Sequence, residues 1–247
     1  TDNALGSEAQ AQPGYHFVKW TNEAGDVVSE IEKYIPSKVD GVNKAAIYTA
    51  HFEEDADVTI VYKAEKGGKV TPTSETLAPA TEDASGSTAE ALPGYHFVNW
   101  TDKVGNVVSD DLKYVPAKVG GVNVAATYTA HFEEDADVTI LYQATAGGSV
   151  NPASETLAPV TDVASGSTAE ALPGYHFVNW TNKAGNVVSD DLKYVPAKVD
   201  GVNVAEIYTA HFEENPDVTI LYQATEGGSV DPTSETLAPV TDYAAGS

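Results

Sequence analysis

The sequence predicts a mainly β protein laid out as a tandem array, with one small domain for each repeat of about 80 residues. Two observations carry this expectation. The first is recurrence: Pro13-Gly14-Tyr15-His16-Phe17-Val18 returns at 93–98 and 173–178, and Tyr48-Thr49-Ala50-His51-Phe52-Glu53-Glu54 returns from Tyr128 and from Tyr208. No insertion or deletion breaks the register, and the second and third copies agree at about 85% of positions, so each copy reads as the same folding unit. The second observation is texture. Within each copy the apolar residues fall in short β-branched and aromatic runs divided by glycine, proline and small polar residues, the punctuation of strands and turns. A period this long fits a small domain in tandem rather than the thin coil of a solenoid.

Taken in order, Val138-Thr139-Ile140-Leu141-Tyr142 predicts a strand running toward Gly147-Gly148, a pair suited to the positive φ of a tight hairpin turn. Ser149-Val150 starts the return strand, which Pro152 ends or confines to an edge. Tyr95-His96-Phe97-Val98-Asn99-Trp100 predicts the second strand, entered through Pro93-Gly94. If Tyr95, Phe97 and Trp100 all face the core, alternation fails between Phe97 and Trp100, which predicts a β-bulge there. Val107-Val108 follows the turn residue Gly105, Tyr114-Val115-Pro116 reads as a short edge segment, and residues 124–133 read as the longest strand. Ser87-Thr88-Ala89-Glu90-Ala91-Leu92 has a small polar start suited to an N-cap, and predicts one helical turn. The expected core is aromatic in every copy: Tyr15, Phe17 and Trp20; Tyr95, Phe97 and Trp100; Tyr175, Phe177 and Trp180.

Two phasings fit the period. A cut in the small-residue stretch Ala84-Ser85-Gly86-Ser87 gives three repeats, 1–86, 87–166 and 167–247, and the matching register of the two termini favours it. A cut in the acidic stretch Glu133-Glu134-Asp135-Ala136-Asp137 gives whole units at 57–136 and 137–216 with fragments at both ends.

Composition removes several function classes. Against 37 Asp and Glu stand 13 Lys and no Arg, a formal charge of -24, and the lysines are scattered singly, so a phosphate backbone would be repelled. A nucleic-acid partner is not expected. With no cysteine, disulfides, thiolate nucleophiles and cysteine metal sites are excluded. No apolar run approaches the roughly 18 residues of a membrane span, and the N-terminus has no signal-peptide pattern. The lack of methionine, including at position 1, suggests a segment of a longer protein.

The order Val-Thr-Ile-Leu-Tyr, Gly-Gly, Gly94-Tyr95-His96-Phe97-Val98-Asn99-Trp100 and then Tyr-Thr-Ala-His-Phe resembles the Listeria-Bacteroides repeat, also known as the internalin B-repeat. The resemblance covers 57–134 and 137–214 and the matching parts of both terminal pieces. The Val-Thr-Ile-Leu-Tyr strand with Ser154-Glu155-Thr156-Leu157 is more loosely similar to mucin-binding-protein repeats. Both families imply small β-grasp-like domains in tandem in large bacterial surface proteins, and so an extracellular stalk or adhesin region anchored to a cell wall.

Candidate chemistry is sparse. His96 and His131, with Glu133 on the face of His131, could hold zinc if their strands were neighbours; ordinary strand histidines are the simpler reading. Glu133, Glu134, Asp135 and Asp137 bunch at a repeat junction and could surround calcium, or form a solvated acidic turn that protects edge strands. The third copy reads Glu213-Glu214-Asn215-Pro216-Asp217, one carboxylate fewer, and no metal is expected. Asn99-Trp100-Thr101 and Asn179-Trp180-Thr181 fit a glycosylation sequon that a strand beside the core would hide. No nucleophile elbow or phosphate loop is present, so neither catalysis nor a cofactor is expected. The sequence therefore predicts a non-enzymatic spacer whose partners are the neighbouring repeats of its own chain. The alternative is a repeated adhesin module that grips a host glycan or protein by avidity.

Overall fold

The computed structural model describes residues 2–245, and the chain divides into two compact units, Thr1–Glu133 and Glu134–Ser247. In the first unit, a five-stranded sheet runs in the order Val107–Ser109, Tyr95–Thr101, Ala126–Glu134, Val58–Ala64, Ser74–Leu77. A three-stranded sheet, Lys113–Tyr114, Ser87–Ala91, Gly68–Thr71, accompanies it. The opening strand, Val58–Ala64, lies parallel to the closing strand, Ala126–Glu134, with Tyr62 opposite Tyr128. The first and last strands of the body thus meet at its centre, and everything between them is a crossover.

The second unit repeats this plan with Val138–Ala144 parallel to Glu206–Glu214, and it ends in a two-stranded hairpin of Val218–Leu221 and Ser234–Leu237. The first unit begins with a partial copy, in which Tyr15–Thr21 lies between Val27–Ser29 and Thr49–Glu54.

One apolar core per body holds this together. In the first unit Ile60, Tyr62, Val70, Leu77, Ala89, Trp100, Ala130 and Phe132 are buried in one cluster, with Phe97, Tyr114 and Tyr128 packed against it. The predicted aromatic cores differ by residue. Trp100 and Trp180 have no exposed surface and Trp20 is also buried, whereas Phe97 and Phe177 are half-buried against the core, as is Phe17 beside Trp20. Tyr15, Tyr95 and Tyr175 are half-buried at the start of their strands. The register shift between Phe17 and Lys19, and between Phe177 and Asn179, is the bulge that the alternation required.

Two expectations are corrected. Residues 87–91 form a strand rather than a helical turn: Ser87 and Ala89 are buried while Thr88 and Glu90 are exposed, a period of two that a helix cannot satisfy. No helix is present among the described residues, so the β-grasp likeness does not extend to a helix across the sheet. The glycine pair is not the tip of a two-stranded ladder. Gly148–Asn151 leaves Val138–Ala144 to pair with Ser167–Ala171, in the other sheet. The strand pairing itself spans the small-residue stretch 84–87, since Gly68–Thr71 pairs with Ser87–Ala91 and Val58–Ala64 with Ala126–Glu134. The ladders close within 57–136 and 137–216.

Candidate functional site

The acidic stretch at the end of each closing strand is where the structure concentrates specific polar contacts. In the first unit Glu54 ends the strand Thr49–Glu54, and alternation turns its side chain away from those of Glu53 and Asp55. One carboxylate oxygen accepts the backbone N–H of Ala80 at 2.6 Å and of Thr81 at 2.9 Å, and the other accepts the Thr81 hydroxyl at 2.8 Å. The bonds from Thr81 above all, helped by Ala80 and the nearby Lys118 charge, hold the Glu54 carboxyl below its ordinary value.

The loop that receives Glu54 is fastened from its own body as well. Asn123 donates its side-chain amide to Ala78 O at 3.0 Å and Glu82 O at 2.8 Å, and its backbone N–H to Pro79 O at 2.8 Å. Lys118 donates to Ala80 O at 2.8 Å and pairs with Asp83 at 2.9 Å.

Beside the clamp, the Asp55 N–H donates to Gly14 O at 2.8 Å. Gly14 sits at φ +81°, where a Cβ would lie 2.9 Å from Val122 and 3.1 Å from Ala80. Only glycine permits both that φ and that approach.

The second unit has the same parts. Glu214 accepts the N–H of Val240 and, at 2.9 Å, the N–H and hydroxyl of Thr241, which hold its carboxyl low in the same way. Glu134 makes this set with Val160 and Thr161. A Cβ on Gly174 would come within 2.3 Å of Val240.

The calcium candidates are therefore not gathered round one point. Glu134 is half-buried and spends both oxygens on the loop at Val160, whereas Glu133, Asp135 and Asp137 are exposed. The zinc pair His96 and His131 is echoed as His16 with His51 and as His176 with His211, on neighbouring strands, and these histidines turn to different partners. His16 pairs with Asp55 at 2.9 Å; His51 bonds the Thr21 hydroxyl at 2.8 Å; and His131 has both ring nitrogens engaged, one with the Thr101 hydroxyl at 2.8 Å and the other with Glu65 at 2.9 Å. Among the described residues no group of three His, Cys, Asp or Glu is placed to hold a metal ion. The sequon residues Asn99 and Asn179 are half-buried in the aromatic strands.

What the sequence did not reveal is the clamp itself: Glu54 and Thr81 both recur with the period, but nothing local says that they meet. These joints fall where a family model does. The model for the divergent InlB B-repeat domain matches residues 5–56, 58–136 and 138–216. The chain belongs to that family. A search of curated proteins finds no match. Each whole B-repeat starts at its opening strand and ends two residues past its clamp glutamate, so the matched boundaries coincide with the closure of the strand ladders.

Proposed function

We propose that these B-repeats form a non-enzymatic spacer, a stalk segment of a bacterial cell-surface protein that carries an adhesive region away from a cell-wall anchor. The observation that carries the reading is the Glu54 clamp. The closing strand of one repeat ends at Glu54 and the next repeat opens at Val58, and the turn between them is bridged by three hydrogen bonds accepted by a single carboxylate. Such a joint lets copy number set length without a new fold or a loose linker. The family, typical of bacterial surface proteins, supports the setting, and the charge of -24 keeps such an array soluble.

An adhesin module gripping a glycan or protein would present an aromatic patch once per repeat. In the whole bodies Trp100 and Trp180 are fully buried, and the largest exposures are aliphatic and scattered, as at Val104, Val107 and Leu112. That distribution favours the spacer.

Small-angle scattering of the chain tests the reading. The expected radius of gyration lies well above the roughly 18 Å of a single globule of this length. A value near 18 Å overturns the spacer.

A further inference from the structure

A two-residue hairpin turn precedes each closing strand and differs among the repeats at one position. It reads Val39-Asp40-Gly41-Val42, Val119-Gly120-Gly121-Val122 and Val199-Asp200-Gly201-Val202. In each, the flanking valines exchange both backbone bonds across the turn; the Val199 N–H donates to Val202 O at 2.9 Å and the Val202 N–H to Val199 O at 3.0 Å. Such a turn needs positive φ at both central residues. Gly120 and Gly121 adopt it freely, at φ +63° and +91°, whereas Asp40 and Asp200 are held at φ +52° and +50°. Among the described residues they alone, apart from glycines, have positive φ, in a region where Cβ crowds the following carbonyl.

The surroundings leave these turns free to react. Asp40 and Asp200 are exposed, and so are the glycines that follow them. A Cβ on Gly41 or Gly201 would have no atom within 4 Å, so the space beside each glycine is open. No other aspartate precedes a glycine in the chain, and no asparagine does. A glycine nitrogen has no side chain beside it, so it reaches a neighbouring carboxyl more readily than the nitrogen of any other residue.

We propose that Asp200-Gly201 and Asp40-Gly41 are sites of spontaneous modification, where aspartate rearranges to isoaspartate through a cyclic imide. The Gly201 nitrogen attacks Cγ of the Asp200 side chain in its carboxylic acid form. The N–Cγ bond forms, the amide proton and the carboxyl hydroxyl leave as one water, and a five-membered imide closes. Water then adds to one of the two ring carbonyls. Addition at Cγ restores aspartate; addition at the main-chain carbonyl breaks its bond to the Gly201 nitrogen and leaves the chain running through Cγ. The product has the same atoms as the starting chain, with one more methylene in the main chain and the old α-carboxyl group as its side chain. That linkage has no left-handed constraint to meet, so the rearrangement relieves the strain of holding aspartate at φ +50°.

The change reaches a buried neighbour. Asn203 donates its side-chain amide to Ala158 O at 2.9 Å and Asp162 O at 3.0 Å, and its backbone N–H to Pro159 O at 2.7 Å. These bonds hold the loop whose Val160 and Thr161 donate to Glu134. An extra main-chain atom in a two-residue turn shifts Val202 against Val199, and Asn203 with it, so isoaspartate at 200 weakens that hold.

Storage of the full chain at physiological temperature and neutral pH tests this, followed by peptide mapping with fragmentation that separates isoaspartate from aspartate. Isoaspartate is expected at 40 and 200 at least about tenfold faster than at Asp111 or Asp137, exposed aspartates followed by leucine and valine. Asp200→Gly, which copies the turn at 120–121, abolishes the reaction at 200 and leaves that at 40. Gly120→Asp creates a third reactive site. In Asp40→Gly, where only 200 reacts, the isolated rearranged fraction shows weaker amide-exchange protection at the Asn203 N–H. Rates at 40 and 200 no higher than at Asp111 and Asp137, or reaction only in the urea-unfolded chain, overturn the site. Unchanged protection at Asn203 overturns its tie to the loop.

Discussion

Trp100 has no exposed surface, and its indole N–H donates to Leu112 O at 3.3 Å. It also joins Tyr62, Phe97 and Tyr114 in one aromatic cluster. Trp100→Ala therefore empties the middle of a core, and a loss of about 3–5 kcal/mol is expected in chemical denaturation; a loss under about 1 kcal/mol would contradict the burial. The glycines separate two costs. Gly68 has no positive φ, but a Cβ there would meet the Phe132 ring at 2.1 Å, whereas Gly105, at φ +94°, has open space around it. Gly68→Ala is expected to cost about 1–3 kcal/mol through overpacking, and Gly105→Ala about 1–2 kcal/mol through backbone strain alone. Gly68→Ala should also change near-UV circular dichroism, since it moves an aromatic ring; Gly105→Ala should not.

Where the closing strand meets the receiving loop, a single carboxylate decides how firmly the element ends are held. The Glu54 carboxyl titrates below its ordinary value because Thr81 and Ala80 donate to its charged form. A group whose folded pKa is depressed contributes stability above its unfolded pKa and loses it as pH falls through the folded one. The clamp is thus complete at neutral pH and releases in acid, from the ordinary glutamate range near 4.5 downward. Amide exchange at Thr81, corrected for the intrinsic rate, should show protection that drops across this window in the parent chain. In Glu54→Gln protection should be weaker at neutral pH and flat across the window. Equal pH dependence in both would remove Glu54 from the joint.

For the molecule as a whole, the charge of -24 makes a general response to salt easy to mistake for specific ion binding. Glu134 is already saturated by donors, and Glu133, Asp135 and Asp137 are exposed around it, whereas calcium wants six to eight oxygens converging on one point. The melting temperature at constant ionic strength is therefore expected to stay nearly unchanged by millimolar calcium. A rise of several degrees, abolished by Asp135→Asn with Asp137→Asn, would make the acidic stretch a metal site.

The sequence by itself determined the period, the β class, the aromatic strand with its bulge and the burial of its tryptophans. These are written in local patterns: recurrence along the chain, alternation across a strand, and the one place where alternation fails. Only the tertiary structure decided which strands meet. Nothing local to Tyr62 and Tyr128 announces a parallel ladder, nor sends the strand after Gly148 into a second sheet. Ser87-Thr88-Ala89-Glu90-Ala91 carries a plausible helix start, yet pairing on both edges made it a strand, because ladder bonds and burial of Ala89 outweigh the weak preference of so short a segment. The clamp was hidden for the same reason. A carboxylate reads in sequence as solvated charge, and it becomes a joint only when folding brings the N–H groups of a distant loop to its two oxygens.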